Sequence, residues 1–190
     1  MNNPTRERAY ALLLEHTKSP HLVKHALCVE AAMIFYAPRY NGLVDDWAIT
    51  GLLHDFDYEK HPSLEEHPFV GAEILRSLKY PEEIVNAILG HSDHTGISRE
   101  SEMAKALYAV DELTGFIVAC ALVRPSKSLL DLPVKSITKK FKDKAFCRAI
   151  DRDHLRAAAE GIEVPLRDHV ENTLIALQGI APAIGLDGNP

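Results

Sequence analysis

Apolar residues recur at steps of three and four positions along almost the whole chain, which places them on one face of an α-helix. Sustained alternation of polar residues with β-branched or aromatic ones, the pattern typical of strands, does not occur in the sequence. The pattern therefore predicts an all-α fold. We expect helices near residues 4–16, 20–36, 45–56, 66–78, 81–92, 100–122, 134–148, 152–160 and 165–179.

Proline and other turn-forming residues indicate where several helices begin and end. Pro4, Pro20 and Pro81 stand where the first residue of a helix is expected, and Asn3 and Ser19 are suitable N-caps for the first two. Turn formers separate the helices at residues 38–42, 61–63, 90–98 and 124–133. No linker rich in proline, glycine and serine divides the chain, so we expect a single domain over residues 1–190, with the C-terminal helices 134–179 packed on the earlier part.

Composition and charge narrow the classes of function. The chain has 21 basic and 27 acidic residues, a formal charge of −6, which disfavours duplex nucleic acid as a partner because such binding domains are usually basic. Its three cysteines show no C-x-x-C spacing, which argues against a disulfide framework or a thiolate zinc site. Neither a signal-peptide pattern nor a run of about 18 apolar residues is found. We therefore expect a cytoplasmic protein without membrane contact, in an oligomeric state that the sequence leaves open.

The doublet His54-Asp55 closes an apolar run in the third predicted helix. Adjacent side chains on a helix diverge by about 100°, so both reach one ion only near a helix end or a kink. The alternative is a cluster of capping groups and ion pairs at a helix terminus. However, acidic side chains at a C-terminal end oppose the helix macrodipole, and a bound cation would account for them.

Asp111 lies on an apolar face of its predicted helix, with Ala104, Leu107, Gly115 and Val118 as helical neighbours. An ionised and unpaired carboxylate there would cost several kcal/mol. We therefore expect it to be protonated, paired with a base or bound to a metal. Glu112, one position further on, is expected to face away and to be solvated.

Three further histidines lie at intervals along predicted helices. His25 shares a stripe with apolar residues of the second helix, while His67 and His91 stand at helix termini. Taken singly, each is more typical of a core or an exposed terminal histidine. The candidate metal ligands form an ordered set of four imidazoles and two carboxylates, which suits borderline or hard divalent metals: His25, His54, Asp55, His67, His91 and Asp111.

The order His25, then His54-Asp55, then Asp111 resembles the HD superfamily of metal-dependent phosphohydrolases, an all-α family named after the His-Asp doublet. The similarity extends over about residues 20–125, which would be the metal-binding core. The resemblance implies that these four side chains hold a first metal ion.

Two further stretches are similar to the version of the family that carries a second metal. HPFVGAEIL contains His67 and AILGHSDHTG contains His91. The resemblance implies that Asp55 bridges the first ion to a second one held by these two histidines. The cofactor would thus be one or two divalent ions, with Fe, Mn, Zn, Co and Ni not distinguished.

The chain also departs from common family patterns. Many members follow the doublet with Ile-Gly and often a lysine, whereas this chain has FDY at 56–58, so no phosphate-contacting lysine is implied there. The cyclic-dinucleotide phosphodiesterase branch shows consecutive histidines and a Gly-Tyr-Pro signature, whereas this chain has HSDHTG at 91–96. That substrate is therefore disfavoured. The ligand layout is more similar to small HD hydrolases that split dinucleoside tetraphosphates symmetrically.

A pair of divalent ions about 3.5 to 4 Å apart polarises phosphoryl oxygens and lowers the pKa of a bound water, so that hydroxide attacks phosphorus in line. Asp55 would fix that spacing and is a predicted catalytic residue. The leaving oxygen needs a proton or a positive charge, for which His94, His61 and Asp57 are the nearest candidates. We favour His94, because its i+3 offset would place it beside His91 if the helix continues that far.

Basic residues after the Asp111 helix are candidates for phosphate binding. Arg124 and Lys127 could clamp a phosphate group that is not transferred, although solvated loop charges are an equally good explanation. A further basic segment is most simply a solvated helix face, with a substrate entrance as the alternative. It comprises Lys135, Lys139, Lys140, Lys142, Lys144 and Arg148.

The sequence thus favours a phosphohydrolase that acts on a phosphoester or phosphoanhydride of a small metabolite or nucleotide. One alternative is a mixed-valence di-iron oxygenase, because certain HD-fold members use the same ligand set with iron and dioxygen. Another alternative is a regulatory module in which a fully coordinated metal is structural.

Overall fold

The computed structural model describes residues 4–188. Its helices are α1 (Arg6–His16), α2 (Pro20–Tyr36), α3 (Val44–Leu53), α4 (Phe69–Ser77), α5 (Glu82–Gly90), α6 (Glu102–Leu122), α7 (Val134–Phe141), α8 (Arg152–Gly161), α9 (Leu166–Gly179) and α10 (Ala181–Ile184). Short 3-10 helices cover Ala37–Tyr40 and Asp93–Thr95. The described residues contain no strand, only an isolated bridge between Ser128 and Asp187. The predicted all-α fold is confirmed.

Helix starts agree only in part with the expected caps. Pro20 is the first residue of α2, as predicted, although the side chain of Ser19 makes no capping hydrogen bond. Pro4 precedes the N-cap of α1, which is Thr5, and Pro81 is the N-cap of α5. The predicted cap Asn3 lies outside the described residues.

Two predicted helices end earlier than expected. α3 stops at Leu53, so that His54 is its C-cap, and α7 stops at Phe141 instead of running to 148. After α7 the chain forms turns whose carbonyl groups accept hydrogen bonds from the guanidinium of Arg152, including that of Cys147 at 2.7 Å. These bonds satisfy main-chain acceptors that a longer helix would otherwise satisfy.

The long helices α2 and α6 form the centre of the fold. α2 contacts α3, α6 and α9, while α6 contacts α5 and α8. The helices after α6 therefore pack on the two central ones. α2 and α3 are in close contact at Gly51, where a Cβ atom would lie 2.9 Å from the backbone nitrogen and Cα of Glu30. No helix of residues 4–188 is long and apolar enough to span a membrane.

Candidate metal centre

The candidate ligands come from separate segments that meet at one place. His25 lies within α2 and Asp111 near the middle of α6. His54 and His91 are the C-caps of α3 and α5. Because α3 ends before the doublet, Asp55 lies in the turn after the helix, where adjacent side chains need not keep the 100° separation of helical positions. The helix end at Leu53 is thus what lets both residues of the doublet face the same point.

A first group of side chains surrounds His54. Its Nε2 atom lies 3.2 Å from Nε2 of His25, 3.4 Å from Oδ1 of Asp111 and 3.5 Å from Oδ2 of Asp55. The same Asp111 oxygen lies 2.9 Å from Nε2 of His25. Asp111 therefore points into the cluster and not to bulk solvent.

A second group forms on the other oxygen of Asp55. Oδ1 lies 3.2 Å from Nε2 of His67 and 3.2 Å from Nε2 of His91. The two oxygens of Asp55 thus face two different sets of imidazoles. Ligand atoms within each of the two groups, His25–His54–Asp55 and Asp55–His67–His91, lie within 4.8 Å of one another.

Each of the three buried histidines of the cluster is held in its orientation by a hydrogen bond from its Nδ1 atom. Nδ1 of His54 donates to the carbonyl of Gly51 at 2.8 Å, and Nδ1 of His91 donates to the carbonyl of Ile88 at 2.5 Å. Nδ1 of His67 donates to Oδ1 of Asp57 at 2.8 Å. Each bond places the ring proton on Nδ1 and leaves Nε2 as the atom that faces the cluster, the arrangement typical of metal-binding histidines.

Asp57 lies behind the second group of ligands, with both of its oxygens hydrogen-bonded. Its side chain is 1% exposed; one oxygen accepts from His67 and the other accepts the backbone N–H of Gly71 at 2.8 Å. A Cβ on Gly71 would lie 2.8 Å from Cγ of Asp57, so a glycine is needed for this approach. The expectation that Asp57 is a candidate acid is not supported by this position. Its closeness to the doublet was the only hint in the sequence, and helical periodicity does not show where a loop side chain turns.

The charges in the cluster compensate one another. Burial opposes ionisation of Asp111, but His54 and the hydrogen bonds from His25 and His54 hold the pKa of this carboxyl well below its usual range. The pKa of Asp55 is likewise held well below its usual range by His54, His67 and His91 against the effect of burial. Burial would lower the pKa of His54, but Asp55 and Asp111 raise it to about 9. The two carboxylates therefore stay ionised, and their negative charges favour the protonated form of His54.

The donor set fits a divalent cation. It offers imidazole nitrogens and carboxylate oxygens with no thiolate, which suits borderline or hard divalent metals. Two Nε2 atoms only 3.2 Å apart beside two ionised carboxylates form a group that one shared cation would satisfy. The residues in this cluster could therefore bind a metal ion.

His94 lies near the site, but each of its ring nitrogens already has a hydrogen-bond partner. Nε2 lies 2.8 Å from the carbonyl of His67, to which it donates, and Nδ1 lies 2.8 Å from Oγ of Ser92. His94 belongs to the exposed 3-10 helix after α5, so it does not lie one helical turn beyond His91, as the i+3 offset predicted. In His61, the remaining candidate acid, Nδ1 lies 3.3 Å from Oε1 of Glu66. Catalysis by His94 stays a prediction.

The predicted phosphate-binding residues are not brought to the cluster. The last residue of α6, Leu122, is already about 16 Å along the helix axis from Asp111. Beyond it, Arg124 pairs with Asp131 at 3.2 Å, and Lys127 lies in the following loop with a φ of 47°. No contact of either residue supports a role in binding phosphate at the cluster, and that role stays a prediction.

Glu112 is not simply solvated, as its position beside Asp111 suggested. Its side chain is about one-third exposed, and Oε2 lies 4.0 Å from Nδ1 of His154 on α8. Burial raises the pKa of this carboxyl. The ring of His154 stacks on Tyr108 of α6 with 4.3 Å between centroids. Glu112 therefore faces away from the cluster, as expected, but it is only partly solvated because α8 covers this face of α6, a long-range contact that the local pattern does not show.

Comparison with known families adds one finding. A family model described as HD domain matches residues 22–115. The matched segment begins before His25 and ends after Asp111, so it contains all six candidate ligands. Comparisons with curated proteins and with solved structures found no match. The family match and the His-Asp cluster at its centre together show that residues 22–115 of this chain form an HD domain.

Proposed function

We propose that this protein is a metal-dependent phosphohydrolase that cleaves a phosphoester or phosphoanhydride of a small metabolite or nucleotide. The HD family consists mostly of metal-dependent hydrolases. The observation that carries the proposal is the double role of Asp55, whose Oδ2 faces His54 while its Oδ1 faces His67 and His91. A carboxylate shared in this way suits a pair of cations close together.

The chain's own residues would bind the metal ions and keep the ligands in a fixed orientation. His25, His54, Asp55 and Asp111 would hold one ion, and Asp55, His67 and His91 the other. A bound divalent metal polarises a phosphoryl oxygen and lowers the pKa of water, which supplies the nucleophile. The bonds from Nδ1 of His54 and His91 to main-chain carbonyls keep these rings in place, so no reorientation is needed when substrate arrives.

Partial exposure of three of the ligands supports a catalytic site over a purely structural one. The side chains of His25, Asp55 and Asp111 are 25%, 23% and 18% exposed, whereas those of His54 and His91 are 0% and 6% exposed. The cluster is therefore closed on one side and open on the other. Structural metal sites are fully enclosed by protein ligands, while catalytic ones keep an open position.

A screen of phosphate release tests the proposal. Protein stripped of metal is reloaded separately with manganese, iron, cobalt, nickel or zinc and incubated with phosphomonoesters, anhydrides and dinucleoside polyphosphates. We expect phosphate release with at least one metal, and its loss in Asp55→Asn, which keeps the shape of the side chain but not its charge. Asp45→Asn, an exposed carboxylate in the first turn of α3, is the matched control.

The outcomes separate the alternatives. Turnover retained in a folded, metal-free Asp55→Asn variant would overturn the proposal. Oxygen consumption by the iron-loaded protein, without phosphate release, would indicate the di-iron oxygenase instead. Metal that is bound but supports neither reaction would indicate the regulatory module.

A further inference from the structure

A cavity of about 150 Å³ adjoins the candidate metal centre on the side of His25. His25 is common to the two: Nε2 contacts Asp111 in the cluster, and the same residue lines the cavity. Gly115, another lining residue, lies four positions after Asp111 and hence on the same face of α6. The cavity therefore lies beside the metal centre along α6, with His25 between the two.

The interior of the cavity is apolar. Apart from His25 and Gly115, its apolar lining consists of the buried side chains of Cys28, Ile184 and Leu186, the partly buried Val118, and Leu122, which is about half exposed at the edge. Burial raises the pKa of the Cys28 thiol to about 12, so this side chain stays neutral and behaves as a small apolar group. An apolar cavity of this volume is large enough to bind benzene.

Polar groups lie at the outer part of the cavity. Lys24 and His21 line it and are exposed. The ammonium of Lys24 lies over the turn at Gly185, where an added Cβ would be 3.5 Å away. Because His25 adjoins both the cavity and the cluster, a ligand with its apolar part in the cavity and its anionic part at the cluster matches this distribution of polar and apolar groups.

Open space at Gly115 is the most specific feature of the cavity. A Cβ built on this residue meets no atom within 4 Å, although the residue is in the middle of a 21-residue helix. Glycine inside a helix costs about 1 kcal/mol relative to alanine. The absent side chain leaves room beside the metal ligands.

We propose that this cavity binds the organic group of the substrate, and that this group is apolar and about the size of a benzene ring. The inference rests on the proposed phosphohydrolase function and names its substrate class: an organic phosphate R–O–PO₃²⁻ with a compact apolar R. Hydrolysis breaks the P–O bond, adds the elements of water, and releases R–OH and inorganic phosphate. Gly115 determines the size of R that the site accepts.

Binding of two phosphonates tests the proposal independently of turnover. Phenylphosphonate and methylphosphonate carry the same anionic head, differ only in the apolar group and have no ester bond to hydrolyse. Their dissociation constants are measured by calorimetry with manganese-loaded wild type, Gly115→Leu and Gly115→Ala. Gly161→Leu is the matched control, because it is also a helical glycine with no atom within 4 Å of an added Cβ and does not line the cavity.

We expect the wild type and Gly161→Leu to bind phenylphosphonate at least tenfold more tightly than methylphosphonate, as burial of a ring in an apolar pocket implies. In Gly115→Leu the two affinities should agree within about twofold, because the leucine fills the space. Gly115→Ala should show a smaller preference for phenylphosphonate over methylphosphonate than the wild type does. This variant tests the proposal if the leucine variant does not fold.

Each result supports or overturns a specific statement. Equal binding of both phosphonates by the wild type, binding of neither, or a preference that survives in Gly115→Leu would overturn the cavity proposal. If such a protein still releases phosphate in the substrate screen, the proposed function stands. Conversely, a phenyl preference that Gly115→Leu removes, in a protein that hydrolyses no phosphate compound, would overturn the proposed function and retain the cavity as a binding site.

Discussion

The side chain that holds His67 in place illustrates how much of the site depends on residues behind the ligands. Asp57 is fully enclosed, and its two oxygens accept one hydrogen bond each, from Nδ1 of His67 and from the backbone of Gly71. A buried carboxylate of this kind fixes the tautomer of the ligand and increases its basicity. Asp57 is therefore a positioning residue for the second group of ligands.

Replacing Asp57 with asparagine should weaken metal binding. The amide has one acceptor oxygen, so it cannot accept from both His67 and Gly71, and its NH₂ group would face a donor. We expect the affinity of the weaker-binding site for manganese, measured by titration, to fall by about 10- to 100-fold. Glu65→Gln, an exposed carboxylate in the same loop, is the control, and an affinity unchanged between Asp57→Asn and this control would contradict the assigned role.

His169 of α9 should make stability depend on pH. Burial lowers its pKa to about 4, and the ring lies between the Tyr36 hydroxyl at 2.6 Å and the Ala109 carbonyl at 3.0 Å. In the unfolded chain a histidine has a pKa of about 6.5. Between these values the unfolded chain binds a proton that the folded protein does not, so stability is present above about pH 6.5 and is lost as the pH falls.

At pH 4 this shift should lower the free energy of unfolding by about 3 kcal/mol relative to its value above pH 6.5. Urea unfolding at several pH values between 7.5 and 4.5 measures it, with His169→Gln as the comparison because glutamine keeps a donor and an acceptor but does not titrate. The free energy of unfolding should fall more steeply with decreasing pH in the wild type than in the variant. Parallel curves would show that His169 is not responsible.

At the scale of helices, the contact between α2 and α3 sets the distance between His25 and His54. The helices meet at Gly51, where an added Cβ would lie 2.9 Å from the backbone of Glu30 and 3.0 Å from Cγ of Met33. His54 follows Gly51 by three residues and donates Nδ1 to its carbonyl. Any separation of the helices at this point therefore moves one ligand away from another.

Gly51→Ala and Gly115→Ala should have opposite effects on stability. The first forces a methyl group against backbone atoms that cannot rotate away, which should cost about 1–3 kcal/mol and also weaken metal binding. The second adds a methyl group where no atom lies within 4 Å and removes a helical glycine, which should add up to about 1 kcal/mol. Urea unfolding of both variants checks the signs, and a Gly51→Ala protein as stable as the wild type would show that the contact is not tight.

At the scale of the whole molecule, local and long-range features differ in how far the sequence predicts them. Helical periodicity predicted the helices from α1 to α9, and the His54-Asp55 doublet with its ordered partners predicted the family. The end of α3 at Leu53 was not predicted, because the apolar pattern continues through Phe56. The partial burial of Glu112 by α8 and the cavity between α2, α6 and the C-terminal segment depend on contacts between distant parts of the chain, which no local pattern contains.

The candidate ligands come from α2, from the segments after α3 and α5, from the loop before α4 and from α6, so a cation bound to them would connect most of the HD domain. Metal that binds the folded chain and not the unfolded one should therefore raise the unfolding temperature in a concentration-dependent way. At a free metal concentration 100 times the dissociation constant the added stability is about 2.7 kcal/mol. In a protein of this size that corresponds to about 5–10 °C.

Thermal unfolding with manganese and with EDTA measures this shift, and Asp55→Asn is the decisive comparison because Asp55 is the one residue shared by both ligand groups. Loss of that carboxylate should remove most of the shift, whereas Asp45→Asn should keep it. A shift of equal size in Asp55→Asn would mean that the stabilising metal binds elsewhere on the molecule. The two ligand groups would then have to be explained as a network of ionised acids and protonated histidines without a cation.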